Sequence, residues 1–138
     1  MKKYLNYALF YAVLAMIAGV FYREFTKFNN FYADTALAKV HTHLFVLGMI
    51  IFLLISLFFK KEKIVAIKMF KSFMYIYNFG LLLMSTIMSI RGILQVLTIS
   101  LSTNCNAVIT GLAGISHLCV GIGLLLLFLV FKKQANQA

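Results

Sequence analysis

Four apolar runs, each long enough to cross a bilayer and none broken by proline, constrain this chain more than any other feature. A membrane-spanning helix needs about 20 consecutive apolar residues. Such runs lie at about residues 4–22, 40–59, 72–97 and 107–131. Strands are excluded because an open sheet edge cannot satisfy its backbone in lipid. The 138 residues therefore predict a single transmembrane domain spanning 1–138. A soluble domain of this size could not hide a composition that is 63% hydrophobic, since too much of its surface stays exposed. The predicted fold class is all-α: an integral membrane four-helix bundle.

Charge gives the direction. The net charge is +10, but the basic residues flank apolar runs and form no patch on a polar domain. They read as topology signals and contacts to anionic lipid, and nucleic acid is not an expected partner. Lys2 and Lys3 precede the first run. Lys60, Lys61, Lys63, Lys68 and Lys71 separate the second from the third, and Lys132 and Lys133 follow the fourth. The positive-inside rule puts these nine on the cytoplasmic side, with both termini, in a multi-pass plasma-membrane protein. The first run follows lysines as a signal peptide does. It is too long for a signal core and lacks a clear cleavage site, so it reads as a retained helix. The aromatic stretch from Tyr22 to Asn29 reads as a structured outer loop that caps the bundle. Cys105 and Cys119 form no Cys-x-x-Cys pair, which argues against a disulfide framework or zinc-ligand spacing.

The two halves repeat. Thr42-His43-Leu44-Phe45-Val46 leads an apolar run ending at Lys60-Lys61, and Ser116-His117-Leu118-Cys119-Val120 leads one ending at Lys132-Lys133. Asn6-Tyr7-Ala8-Leu9 likewise aligns with Asn78-Phe79-Gly80-Leu81. The chain reads as two pseudo-repeated helical hairpins related about the membrane normal. His43 and His117 are then symmetry mates facing each other.

Ionisable groups inside spans are costly and usually face the bundle interior. Here they are His41, His43, Arg91 and His117, all in the outer half by count. Counted at 1.5 Å per residue from the run ends, His43 falls near the outer quarter and His117 somewhat deeper. His41 and His43 are about 200° apart on a helix and cannot share a centre. Gly114 and Gly121 flank His117 and clear flat space for a planar ring or a neighbouring helix.

Two facing imidazoles fit haem b, whose axial positions take two neutral histidines. Arg91 would then anchor a propionate through its planar fork, since no acid lies deep in a span. The bland alternatives are histidines serving as interhelical hydrogen-bond glue, an interfacial His41, and an Arg91 that snorkels outward beside Gln95. A copper or zinc site built from His43, His117 and His41, within or across subunits, is the main competing reading. A cofactor-free accessory subunit is the third. Catalysis is the weakest class, since the spans hold no nucleophile–base pair and no carboxylate dyad.

The stretch from His41 to Met49 resembles the His-x-His helix of haem-copper oxidase catalytic subunits. There the first histidine binds the high-spin haem and the second the low-spin haem. The resemblance implies a low-spin-type role for His43, with His117 as opposite ligand. Four spans in place of twelve, without copper-site histidines, do not support oxygen reduction. Over nearly its full length the chain resembles a family of small bacterial four-helix membrane proteins of unassigned function, with Tyr-Arg-Glu-Phe (Tyr22 to Phe25) and His-Thr-His-Leu (His41 to Leu44) motifs. The function expected is bis-histidine haem binding for electron transfer or for haem sensing or handling. One haem cannot carry electrons across the whole membrane, so a redox partner protein or a second haem at His41 is required for that role. A homo-oligomer would serve a site shared between subunits.

Overall fold

The computed structural model describes residues 2–59, 64 and 66–136. Lys60, Lys61, Glu62 and Lys63 of the central connection lie outside the described residues. Four helices long and apolar enough to cross a membrane account for most of the chain: α1 (Lys2–Phe28), α2 (Leu37–Phe58), α3 (Ile67–Val96) and α4 (Thr103–Ala135). They run up, down, up and down. The termini share one end of the bundle, called here the terminal end; the opposite end is the distal end.

The packing is a row more than a closed square. α2 packs against α1 and α3, and α4 packs along α3. Small residues permit the close approaches. A Cβ on Gly80 would stand 2.9 Å from the Val120 nitrogen, and one on Gly92 2.4 Å from the Leu37 nitrogen. Such small-residue contacts replace the hydrophobic drive that lipid removes. α2 and α4 meet at the terminal end, where Phe131 packs on Phe58 and Phe59 with ring centroids 4.3 Å and 5.8 Å away.

The terminal half of the core is aromatic. Phe52 is fully buried and stacks with Tyr7 at 5.1 Å and Tyr11 at 5.6 Å, with Phe73 and Tyr77 beyond. The buried hydroxyls find partners: Tyr11 donates to Asn78 Oδ1 at 2.6 Å, and Tyr77 to the Leu47 carbonyl at 2.7 Å. Asn6, the repeat counterpart of Asn78, is exposed, so the alignment of the first and third runs does not extend to that role.

Two local features depart from expectation. First, α1 continues through Tyr22–Phe28, so this stretch is helix and the expected outer loop shrinks to residues 29–36. No proline or glycine breaks it. The side chains of Thr26 and Asn29 bond back to the Tyr22 and Phe25 carbonyls. The helix stops in a Schellman motif: Asn30 is left-handed (φ 49°), Phe31 N–H donates to Thr26 and Asn30 N–H to Lys27. α3 ends the same way, with Thr98 at φ 53°, Ile99 N–H donating to Leu94 and Thr98 N–H to Gln95.

Second, α2 is not α-helical throughout. Leu44–Ile50 forms a π-helix between α-helical segments Leu37–His43 and Ile51–Phe58. The buried positions explain it. Val40, Leu44, Gly48 and Phe52 recur every four residues. In an α-helix a four-residue step overshoots one turn by about 40°, so this stripe would spiral off the core. Wider π turns hold it on one face. Gly48 lies hard against Tyr11, and Tyr77 supplies a donor to Leu47 inside the widened segment.

Candidate functional site

The two histidines of the repeat carry the same local geometry. Thr42 Oγ1 donates to the Lys39 carbonyl at 2.8 Å, and His43 Nδ1 lies 2.8 Å from that same oxygen. On α4, Ser116 Oγ donates to the Ala113 carbonyl at 2.7 Å, and His117 Nδ1 lies 2.7 Å from it. Each unit therefore gathers a hydroxyl at i+3 and an imidazole at i+4 onto one backbone oxygen. A carbonyl only accepts, so Nδ1 carries the proton in both rings. In the neutral tautomer Nε2 is left with its lone pair. A second-shell carbonyl on one nitrogen is what fixes a ligating imidazole in proteins that bind through the other.

The two rings sit on helices that both flank α3. His41 lies beside Gly19 and stacks on Tyr22 of α1, centroids 6.5 Å apart. His43, about 200° away, is therefore turned from α1 toward the side where α3 and α4 lie. On α4, Thr110, His117, Leu124 and Phe131 recur at intervals of seven, and a heptad drifts only about 20° around an α-helix. Phe131 at the foot of this stripe touches α2. The His117 face of α4 thus looks toward α2.

Height agrees. His43 precedes Phe58 by fifteen residues and His117 precedes Phe131 by fourteen, and both climbs are about 20 Å at 1.5 Å per residue. The two imidazoles stand at one level above the shared phenyl contact. The distal ends are not level with this count: His43 is the seventh residue of α2 and His117 the fifteenth of α4.

Surroundings differ between the two. His43 is half-buried and immediately precedes the π segment, while His117 is exposed. A Cβ at Gly111, Gly114 or Gly121 would meet nothing within 4 Å, so the space beside His117 is open. His41 faces α1 instead; its Nδ1 is buried without a hydrogen-bond partner among the described residues.

Arg91 reaches the same stripe from α3. Its Nη2 donates to Thr110 Oγ1 at 2.7 Å, two turns distal to His117. It lines an open polar cleft of about 580 Å³ with Gln95, Thr98, Ser100, Asn106 and Thr110, in which no carboxylate stands among the described residues. Gln95 does not accompany Arg91 outward. Its Oε1 accepts from Ala36 N–H at 2.8 Å and Thr35 Oγ1 at 3.1 Å, which caps the start of α2.

Among the described residues no group of three His, Cys, Asp or Glu stands together. Met84 is buried core, and Cys119 is half-buried against Gly80. The groups the sequence does not display are the Lys39 and Ala113 carbonyls, each shared by a hydroxyl and an imidazole. The one signal was the hydroxyl residue just before each histidine.

Fold and composition define a four-helix integral membrane protein. The chain belongs to the family described as "Protein of unknown function (DUF2871)", whose model matches residues 1–134. Comparison with curated proteins and with solved structures gave no match.

Proposed function

We propose that this protein binds one b-type haem between α2 and α4, with His43 and His117 as axial ligands. The observation that carries the reading is the twin hydroxyl–imidazole unit. In both halves a backbone carbonyl fixes Nδ1 and frees Nε2, at similar residue counts from the Phe58–Phe131 contact. Helix glue alone gives no reason for two rings to be locked identically while neither Nε2 is given a protein partner at hydrogen-bond distance among the described residues.

The donor set suits a group needing two axial nitrogens better than a four-coordinate zinc ion. Open space at Gly114 and Gly121 would admit a planar macrocycle. Arg91, held on the His117 stripe by Thr110, would pair with a propionate. Six-coordinate haem supplies one-electron exchange and leaves no open position for substrate. The chain's own part is to orient both imidazoles, offer a cation distally and keep the ring in apolar surroundings. The role is electron transfer or haem sensing or handling in the plasma membrane, with both termini cytoplasmic by the lysine bias.

Absorption spectra of detergent-purified protein, expressed with ample haem, test this. A low-spin Soret band that sharpens with α and β bands on dithionite reduction is expected. A flat visible spectrum overturns it; bound copper or zinc in that sample would then support a metal site, and neither would leave an accessory subunit.

A further inference from the structure

On the other side of α2, a groove runs between α1 and α3. At the terminal end it opens as a cleft of about 590 Å³ lined by Lys3, Tyr7, Tyr11, Lys71, Tyr75 and Asn78, among others. Leu82 also lines this cleft, and it is shared with a second, apolar one of about 320 Å³ further along. Leu14, Ile17, Ala18 and Phe21 wall that second part from α1, and Leu82, Ser85 and Ile93 from α3. The groove is thus amphiphilic along its length: two ammonium groups and phenolic hydroxyls at the mouth, then a mainly apolar track toward the distal end, where Ser85, Thr86 and Ser89 bond back to their own helix. Among the described residues no carboxylate lines either part.

We propose that this groove holds one anionic glycerophospholipid, its phosphate between Lys3 and Lys71 and one acyl chain running past Leu82 toward Leu14 and Ile17. Charge selects the occupant. Both cations stand at the bundle end where a headgroup layer lies, and basic pockets between transmembrane helices take anionic headgroups there. Tyr7 and Tyr75 bring aromatic rings to the same level, where such side chains are favoured. The buried polar floor, Tyr11 bonded to Asn78 and Asn78 in turn to the Met74 carbonyl, is already satisfied internally. It makes no demand for a polar tail. The proposal is independent of the haem reading, since α2 separates the two grooves.

The test is native mass spectrometry of the protein released from a neutral detergent containing equal phosphatidylglycerol and phosphatidylcholine. The expected result is a single retained phosphatidylglycerol adduct, favoured roughly thirty-fold, the order for two basic side chains at a headgroup. The preference should vanish in a Lys3→Gln/Lys71→Gln variant and persist in Lys132→Gln/Lys133→Gln. Leu82→Trp, at an exposed position, should block the track and remove the adduct while the circular dichroism stays helical. Equal retention of the two lipids would overturn the proposal. So would a preference unchanged by Lys3→Gln/Lys71→Gln, or multiple adducts unaffected by Leu82→Trp, which mark diffuse contact with bulk lipid.

Discussion

The two hairpins carry one histidine unit in two settings. On α2, His43 is half-buried, on a helix clamped between α1 and α3 and distorted into π turns just beyond it. On α4, His117 is exposed, on a regular helix that packs mainly along α3, touches α2 through Phe131 and has open glycines on its free side. Yet each imidazole makes the same bond to a carbonyl four residues back, beside the same hydroxyl. Orientation of the ring is thus a local property of a Thr-His or Ser-His pair on a helix. Accessibility is a tertiary property, set by which neighbours each helix has. A site built this way has one rigid wall and one open wall.

The sharpest way to break this comparison is to add one methyl group to each wall. Gly48→Ala puts a Cβ 2.5 Å from the Tyr11 ring. It should cost about 3 kcal/mol, the upper range for overpacking, and lower the melting temperature in detergent. Gly121→Ala meets nothing within 4 Å and should leave the melt unchanged. Equal effects would show that α4 is as closely packed as α2.

Thr42→Val and Ser116→Ala remove the hydroxyls that share the Lys39 and Ala113 carbonyls with the rings. Each leaves the imidazole's bond to that carbonyl in place and should change haem binding by less than about threefold, well short of the loss of a second-shell partner, in a titration of haem into apoprotein. An effect from one side only would break the equivalence of the two units. Tyr77→Phe tests what sustains the π turns. It withdraws the donor from the Leu47 carbonyl and should cost about 1 kcal/mol, read in the same melt. Thr98→Gly is the smallest effect. A β-branched residue at φ 53° is strained, and glycine should raise stability by about 0.5 kcal/mol.

The helices were legible because lipid leaves hydropathy as the dominant signal. Four apolar runs gave four helices, and the repeat around His43 and His117 pointed to the residues whose geometry proved equivalent. What was not legible depended on contacts. The charged and aromatic stretch after Tyr22 resembles an interface loop in composition, but its Thr26 and Asn29 bonds continue the helix. The π segment hid because every residue from Leu44 to Ile50 is apolar or glycine, so the four-residue stripe had no polar background to stand against. The snorkelling alternative sets Gln95 beside Arg91 by spacing, while the structure bonds its Oε1 at the start of α2. The α1–α3 groove could not be read at all, since nothing in the sequence says which two helices stand apart.

The central claim is that His43 and His117 hold one haem together. The most direct measurement is the absorption spectrum of wild type beside His43→Ala and His117→Ala, each oxidised and reduced, with circular dichroism to confirm folding. The account predicts a low-spin bis-imidazole spectrum in wild type that either single substitution converts to high spin or abolishes. A low-spin spectrum that survives in either folded variant would contradict it.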